Sequence, residues 1–506
     1  MATTDTVRIW RSAAQLDVLL IAQDEPGAIA ELVRSLPELR FGLIWLDDGA
    51  GFAHAALEQL AAVAPEHLLH LEVRALRGTP HTTRGVARRA AEEEHAYAQL
   101  GRLHDLLHDP YETPEALELL GRLLPGSMPA GPLDLAGSLA SERGWELLTA
   151  RLRRLHGDEP FPALCGAVRD THAMLPALLE AARAAPPASM LHALGLGAAG
   201  LLGVFTQKLR HWPLLVSDAA PQALQARLRA WIAPDEPAAA RDLRQRYAEA
   251  LDRLALACAD CVVTPFEFQR QRRIADGADP RRTVCIAPST AAPAALARTD
   301  PTTGRAPARI GVAGPLTPLQ DIRTLLRALH IVLPYLPGIE AWIVGEGTDD
   351  PGYAQDCRAL AQALGLERHL HFAPHSAPAP SSLGLMVSSA IAAGPTRSLV
   401  DALGAGLPCV CTDAGAARQL VYGLAPADIA VGSAGEVVAV ADAQALAAAI
   451  VRLLGDGDAW AEASRAAAER AASFYAPPQA AEQWRSLYAE ALAGSLVVED
   501  VLEDPA

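Results

Sequence analysis

The segment GPTRSLVDAL, residues 394–403, contains several residues that are able to bind an anion. Thr396 or Ser398 is placed to cap a helix that carries Asp401, and the N–H groups of a helix N-terminus bind phosphate-like anions. Arg397 lies beside the same turn and would add positive charge. The alternative is structural: Asp401 is then an acid in the first helical turn, stabilised by the helix dipole, and Thr396 and Ser398 are plain caps.

A basic run, QRQRR at residues 269–273, also has two interpretations. It is typical of a solvated helix face, and its arginines could equally clamp a phosphate. Cys258 and Cys261 have the C-x-x-C spacing of a redox motif, but the chain has no second pair to complete a zinc site. We therefore expect the two thiols to have a packing role.

A histidine pattern follows the glutamates at residues 92–94. His104 and His108 are spaced i, i+4, but the residues between them do not form the H-E-x-x-H motif of zinc enzymes. We expect these histidines on an exposed helix face, without a metal.

The composition excludes several classes of protein. The 506 residues predict two to four domains, and a hydrophobic fraction of 51% excludes a disordered chain. A formal net charge of −16 argues against a nucleic-acid partner. The seven cysteines, an odd number, fit a reducing compartment. Neither a signal peptide nor an apolar run of about 18 residues is visible, so we expect a soluble, cytoplasmic protein.

The elements that position these residues alternate between short apolar strands and amphipathic helices, a pattern that predicts parallel sheets covered on both faces. The predicted strands are residues 16–22, 41–46, 189–193, 213–217, 261–264, 283–287, 309–313, 340–344, 369–372, 384–388 and 409–412. The stretch from about 87 to 184 is almost entirely helical and is interpreted as an insertion in the first domain. A segment rich in Pro, Thr and Ala separates the two halves and is typical of a linker.

We predict five parts along the chain. They are an N-terminal Rossmann-like domain, 1–292; a linker, 293–307; a C-terminal Rossmann-like domain, 308–477; a helix that returns to the first domain, 478–495; and an acidic tail, 496–506.

From residue 308 onward the chain resembles the second domain of GT-B glycosyltransferases of family 4, on the motifs AWIVGEG, ALGLERHLHF and SLVDALGAGLPCVCTDAGAARQL. Within that family it is most similar to the PelF-like transferases, the cytosolic transferases of Pel exopolysaccharide synthesis. The segments that carry this similarity are EFQRQRRIADGADPRRTVCIAP, HALGLGAAGLLGVF and WIVGEGTDDPGYAQDCRALAQALGL. The resemblance implies the α/β GT-B fold, with two Rossmann-like domains facing a cleft, the acceptor on the first and a nucleotide sugar on the second.

The resemblance also implies a donor site, and this chain departs from the family pattern there. Pro315 and Gln320 stand where the family has an Arg and a Lys that reach the diphosphate. Two family glutamates hold the sugar and the ribose, and their places are taken by Ala393 and Asp401. Each lost charge-assisted contact to phosphate costs about 1.5–3 kcal/mol.

In the first domain, the His expected after PLL-x-x is replaced by Asp218, and the loop after the first strand lacks paired glycines. Glu267, Arg270, Gln271 and Arg272 match the PelF-like segment that the family places near the cleft, so a weakened nucleotide site is expected. The candidate substrate-binding residues are Asp401, Ser398, Arg397, Thr396, Gln320, Arg270, Glu267 and Asp218. No residue is assigned to catalysis or to a metal.

These departures favour a transferase-derived pseudoenzyme that acts as a partner or scaffold in exopolysaccharide production. Its expected partner is an intact PelF-like transferase or a membrane polysaccharide synthase. One alternative is a still-active retaining hexosyltransferase that uses UDP-glucose or UDP-GlcNAc, with Arg397 or the Arg270 and Arg272 pair replacing the phosphate ligands. Another is a nucleotide-binding sensor. No cofactor is expected, since a UDP-sugar would be a donor.

Overall fold

The computed structural model describes sixteen parts of the chain. They are residues 6–11, 15–23, 26–47, 60, 67–76, 90–109, 113–122, 141–156, 161–218, 237–290, 306–314, 316–344, 350–372, 378–379, 382–392 and 396–494. The chain divides into two compact units. The first comprises Met1–Pro265, Arg270–Cys285 and Trp484–Ala506, and the second comprises Phe266–Gln269 and Ile286–Gln483.

The first unit contains an eight-stranded sheet of order β1-β4-β3-β2-β5-β6-β7-β8. Its strands are β1 Thr6–Arg11, β2 Leu16–Ala22, β3 Phe41–Asp47, β4 Leu68–Ala75, β5 Ala188–Leu194, β6 Leu214–Ser217, β7 Cys261–Thr264 and β8 Thr283–Cys285. β1 pairs antiparallel with β4 at one edge, and all the other pairs are parallel. The central strand β2 is an almost continuously buried apolar run, as expected for a parallel sheet with both faces covered.

Helices cover this sheet, and five of them lie in the described part of the segment between β4 and β5. They are α1 Pro26–Ser35, α2 Ala90–Leu107, α3 Thr113–Arg122, α4 Glu142–His156, α5 Phe161–His172, α6 Met174–Ala184, α7 Gly197–Arg210, α8 Ala238–Cys258 and α9 Glu267–Ala275. The five helices α2–α6 confirm the predicted helical insertion. Leucines at helical spacing, such as Leu100, Leu103 and Leu107 on α2, bury one face of α2, α3 and α6 in one core, and α4 and α5 bury theirs in a second, smaller cluster.

The second unit contains a six-stranded, fully parallel sheet of order β11-β10-β9-β12-β13-β14. Its strands are β9 Arg309–Ala313, β10 Glu340–Val344, β11 Leu370–Phe372, β12 Leu385–Ser388, β13 Cys409–Thr412 and β14 Gly435–Val438. Counted from β9, this is the strand order 3-2-1-4-5-6 of the Rossmann fold, and the order reverses between β9 and β12. The predicted fold class, two α/β domains with parallel sheets, is confirmed.

The helices of the second unit are α10 Ile322–Val332, α11 Pro351–Ala363, α12 Thr396–Gly404, α13 Ala417–Tyr422, α14 Pro426–Ile429, α15 Ala443–Gly455, α16 Gly457–Phe474 and α17 Pro477–Ala493. From Trp484 onward, α17 belongs to the first unit. In the described part of the chain, no helix combines the length and the apolar character that crossing a membrane requires.

A buried ion pair joins α14 to α16. The guanidinium of Arg470, which is fully buried, donates to Asp428 Oδ1 at 2.5 Å and also to the carbonyl oxygens of Val421, Asp428 and Gly432. A buried charge is costly unless it is paired and hydrogen-bonded. Because Arg470 has this set of acceptors, it holds α14 and α16 together in the second unit.

Candidate nucleotide site

The carboxyl ends of β9 and β12 form the edge at which ligands bind in open α/β sheets, because the strand order reverses between them. The two loops that leave these strands are hydrogen-bonded to each other. The hydroxyl of Ser389 donates to the carbonyl oxygen of Gln320 at 2.7 Å, and the N–H of Ile391 donates to that of Leu319 at 2.9 Å. The loops therefore form one connected surface at this edge.

Gln320, which the family resemblance aligns with the Lys position, is turned into this loop. Its side chain is 8% exposed, and its carboxamide lies 3.1–3.3 Å from the position that a Cβ on Gly314 would take. Gly314 has a φ of +135°, which side-chain-bearing residues rarely adopt. Gln320 therefore fills the loop with a neutral amide, and Pro315 lies outside the described residues.

Helix α12 follows β12 and carries the remaining second-domain candidates. Arg397 Nε donates to Asp401 Oδ2 at 3.3 Å, and their side chains are 45% and 35% exposed. Asp401 is the sixth residue of α12, and the first turn contains no acid, so the interpretation of Asp401 as a first-turn acid is wrong. Ser398 is half-buried. Thr396 begins the helix, but its side chain and Ala393 lie outside the described residues.

A second arginine at this edge, Arg418, had no predicted role. Arg418 lies in the first turn of α13, which follows β13. It makes a bidentate pair with Asp413, with N–O distances of 2.7–2.9 Å. The carboxylate raises the pKa of Arg418 above its ordinary value. The signal was present in the motif TDAGAARQL, where an acid precedes an arginine by five residues, but the spacing alone does not identify the pair.

The described loops and first helical turns after β9, β12 and β13 thus carry three arginines, and each has a carboxylate partner. Arg323 pairs with Asp356 at 2.6 Å, in addition to the Arg397 and Arg418 pairs. The only lysine of the chain, Lys208, belongs to the first unit. The positive charge at this edge is therefore balanced by the protein's own acids.

In the first unit, Asp218 follows β6 and is buried beside Arg273, with the arginine Nε 2.7 Å from Oδ2. Burial raises the pKa of Asp218, and the charge of Arg273 opposes that shift. Arg273 also donates to Asp276 at 2.8 Å. The predicted site residue Asp218 is consequently part of an internal ion-pair network.

Two other predicted residues lie on α9. Arg270 donates to the carbonyl oxygens of Thr283 at 2.7 Å and Pro280 at 3.2 Å, so its guanidinium holds the turn that precedes β8. Within the second unit, the N–H of Glu267 donates to Gln419 Oε1 at 3.1 Å. Gln271 and Arg272 are exposed, whereas Gln269 and Arg273 are buried, so the QRQRR run is only partly a solvated face.

The cysteine pattern has no feature of a thiol site. Cys258 and Cys261 are free, and burial raises the pKa of both, that of Cys261 to about 12. A raised pKa disfavours the reactive thiolate, which agrees with a packing role. The histidine prediction is wrong. His104 and His108 are buried and meet His172, because α2 and α5 turn these faces inward.

The family of the chain follows from its first half. Residues 28–281, half of the chain, match the family model described as a domain of unknown function, DUF3492. The chain belongs to the DUF3492 family. In this DUF3492 protein, residues 307–456 also match the model of the glycosyl transferases group 1. That range contains the whole second sheet and the residues Gln320, Arg397, Asp401 and Arg418. No curated protein matches the sequence.

Solved structures match the DUF3492 protein over nearly its whole length. Anabaena HepE, in a structure with UDP and glucose, is 15% identical, covers 94% of this chain and 100% of its own, and has a TM-score of 0.56. The sucrose-phosphate synthase of Thermosynechococcus elongatus is 14% identical, covers 95% of this chain and 100% of its own, and has a TM-score of 0.57. A glycosyltransferase from Rickettsia africae is 11% identical, with coverages of 94% and 99% and a TM-score of 0.51. At these identities the likeness is one of fold, and it confirms the predicted GT-B fold.

Proposed function

We propose that this DUF3492 protein is a glycosyltransferase relative with an impaired donor site, which acts as a partner or scaffold in exopolysaccharide production. The observation that carries the proposal is the state of the cations at the second sheet's carboxyl edge. Gln320 is neutral and turned into its loop, while Arg323, Arg397 and Arg418 each pair with an acid of the chain.

A nucleotide-sugar transferase must stabilise the charge that develops on a diphosphate leaving group. Preorganised donors at that position are worth about 2.7–4 kcal/mol each to the transition state. An arginine already held by a carboxylate neutralises less of that charge and must first exchange its partner. Impaired transfer is therefore expected mainly from the loss of the family's cations, and the exposed pairing of the remaining arginines adds only about 0.3–0.5 kcal/mol each. A nucleotide is accordingly expected to bind weakly.

The alternative of a still-active UDP-hexose transferase requires an arginine to replace the missing phosphate ligands. Arg270 is occupied by two main-chain carbonyl groups, and Arg397 is paired with Asp401. Either residue would have to abandon these contacts to meet a diphosphate. The contacts support the impaired protein over the active one, and a nucleotide-binding sensor remains an outcome of the binding test.

The proposal is tested by incubating the purified full chain with UDP-glucose or UDP-GlcNAc and measuring release of UDP. We expect no release above that of the buffer. Release that is abolished by Asp401→Ala, but retained by the control Glu469→Ala, would establish an active transferase and overturn the proposal. Glu469 is a suitable control because it is also an exposed acid in an i, i+4 pair with an arginine, Arg465.

The partner role is tested separately, by co-expressing the chain with an intact PelF-like transferase or a membrane polysaccharide synthase. We expect a complex of defined stoichiometry with one of them in size-exclusion chromatography. Separate elution from both proteins at micromolar concentration would contradict the scaffold role and leave the donor-site argument unaffected.

A further inference from the structure

Three histidines converge in the interior of the helical insertion of the first unit. His104 lies in the last turn of α2, His108 directly follows that helix, and His172 is the last residue of α5. Their exposed fractions are 0%, 7% and 1%, and their ring centroids lie 4.3–5.5 Å apart. Each offers a ring nitrogen, and these nitrogens all lie within 4.8 Å of one another.

The hydrogen bonds at the rear of two rings fix which nitrogen faces the centre. His108 Nδ1 lies 2.7 Å from the carbonyl oxygen of His104. His172 Nδ1 lies 3.1 Å from the carbonyl oxygen of Val168 and 3.1 Å from the hydroxyl of Thr171, which itself donates to the Val168 carbonyl oxygen. A carbonyl oxygen only accepts, so both Nδ1 atoms carry the proton and both Nε2 atoms carry a lone pair. Histidines that bind metals are held in this way, with the distal N–H donated to a carbonyl or a carboxylate.

The third ring completes the geometry. His104 Nδ1 lies 3.1 Å from His172 Nε2. Two imidazole ligands on a tetrahedral zinc, each bonded at about 2.0–2.1 Å, would have their nitrogens about 3.3 Å apart. One hydrogen lies between these nitrogens in the metal-free chain. A metal displaces it when His104 changes to its other neutral tautomer, with no proton released.

The three rings are buried beside one further polar side chain. The ring of Tyr247 lies 5.7 Å from that of His108 and 5.8 Å from that of His172. Among the described residues, the buried Tyr247 hydroxyl has no hydrogen-bond partner. It is a polar group at the wall of the cluster that a metal-bound water could use.

We propose that His104, His108 and His172 bind one divalent transition-metal ion of the zinc class, which joins α2 to α5. Three neutral imidazoles select zinc, cobalt, nickel or copper over magnesium and calcium, which prefer oxygen ligands. Three protein ligands leave a fourth position for water. Because the ligands come from separate helices, the ion would act as a cross-link that the unfolded chain lacks, and metal binding would stabilise the insertion. This proposal is independent of the proposed function.

The test uses the full chain. It is unfolded in denaturant with a chelator to remove metal, and is then refolded with Co²⁺ or Zn²⁺ after the chelator is removed. We expect one Co²⁺ per chain with the visible absorption of a four-coordinate site, and a higher thermal midpoint with Zn²⁺ than without it. A refolded wild-type chain that takes up no Co²⁺ would overturn the proposal, and this result does not depend on any variant.

His108→Gln and His172→Gln remove one ligand each and are matched by His330→Gln, an exposed histidine of α10. Mutation of a residue that hydrogen-bonds to a metal ligand typically weakens binding about 10–100-fold. Loss of a ligand itself is expected to weaken Co²⁺ binding by more than this. His330→Gln should bind as the wild type does. Co²⁺ uptake that is equal in all four proteins would assign the ion to the surface and contradict the site.

Discussion

Arg397 donates from Nε to Oδ2 of Asp401 at 3.3 Å, across one turn of α12. The pairing joins the arginine that we predict as a substitute for a phosphate ligand to the acid that the family resemblance places at the ribose. Each residue therefore reduces the charge that the other could offer to a nucleotide. Both side chains are more than one-third exposed, so the reduction is small.

Neutralising Asp401 is expected to strengthen nucleotide binding slightly. Exposed i, i+4 pairs are worth about 0.3–0.5 kcal/mol, so Asp401→Asn releases Arg397 at little cost and should tighten UDP binding about twofold in a calorimetric titration. A residue that holds the ribose would give the opposite sign. Tighter binding in Glu469→Gln as well would attribute the effect to net charge, and weaker binding in Asp401→Asn would contradict the pairing argument.

The buried pair of Arg470 and Asp428 is expected to dominate the stability of the second unit. Arg470→Met leaves the carboxylate of Asp428 buried without its cation, and breaking such a pair costs about 3–5 kcal/mol. Chemical denaturation of the full chain measures this change. The exposed control Arg465→Met should stay within about 0.5 kcal/mol of the wild type. A decrease of less than about 1 kcal/mol in the free energy of unfolding of Arg470→Met would contradict a dominant role of the pair in stability.

His192 on β5 makes the free energy of unfolding depend on pH. Its ring nitrogens lie 2.6 Å from the Tyr488 hydroxyl and 2.5 Å from the Ser217 hydroxyl, and burial lowers its pKa from 6.5 to about 3. The folded state therefore disfavours the protonated ring. The stability of the neutral form is fully present above pH 6.5 and is lost as the pH falls toward 3.

At pH 5 the loss from His192 amounts to about 2 kcal/mol relative to pH 7.5. Denaturation of the wild type and His192→Gln at both pH values measures it, because all other titrating groups contribute equally to the two proteins. We expect the variant to lose about 2 kcal/mol less than the wild type on acidification. Equal losses in the two proteins would mean that the His192 ring can be protonated in the folded state.

The sequence predicts the continuous apolar strands well and misses three others. The bounds of β2, β7, β9, β10 and β13 agree with prediction, because strands buried on both faces are short, continuous apolar runs. β1, β4 and β14 were not predicted. β4 alternates His70, Glu72 and Arg74 with apolar residues, and all three polar side chains are buried in one ion-pair network that its composition does not reveal.

The candidate site divides in the same way. The places of Gln320 and Asp401 follow from motifs that are local in sequence, and both lie at the carboxyl edge of the second sheet. The partners that occupy Arg270 and Arg273 depend on tertiary contacts and could not be predicted. The histidine cluster was missed because His172 lies 68 residues from His104, so only the packing of α2 against α5 brings them together.

The most direct test of the central claim is calorimetric titration with UDP of the wild type and of a variant that restores the family's cations, Pro315→Arg with Gln320→Lys. The account predicts wild-type binding weaker than about 100 μM, which corresponds to about −5.5 kcal/mol. Each restored charge-assisted contact is worth about 1.5–3 kcal/mol, so the variant should bind at least about tenfold more tightly. Wild-type binding tighter than 100 μM, unchanged in the variant, would contradict the claim that the donor site has lost its phosphate ligands.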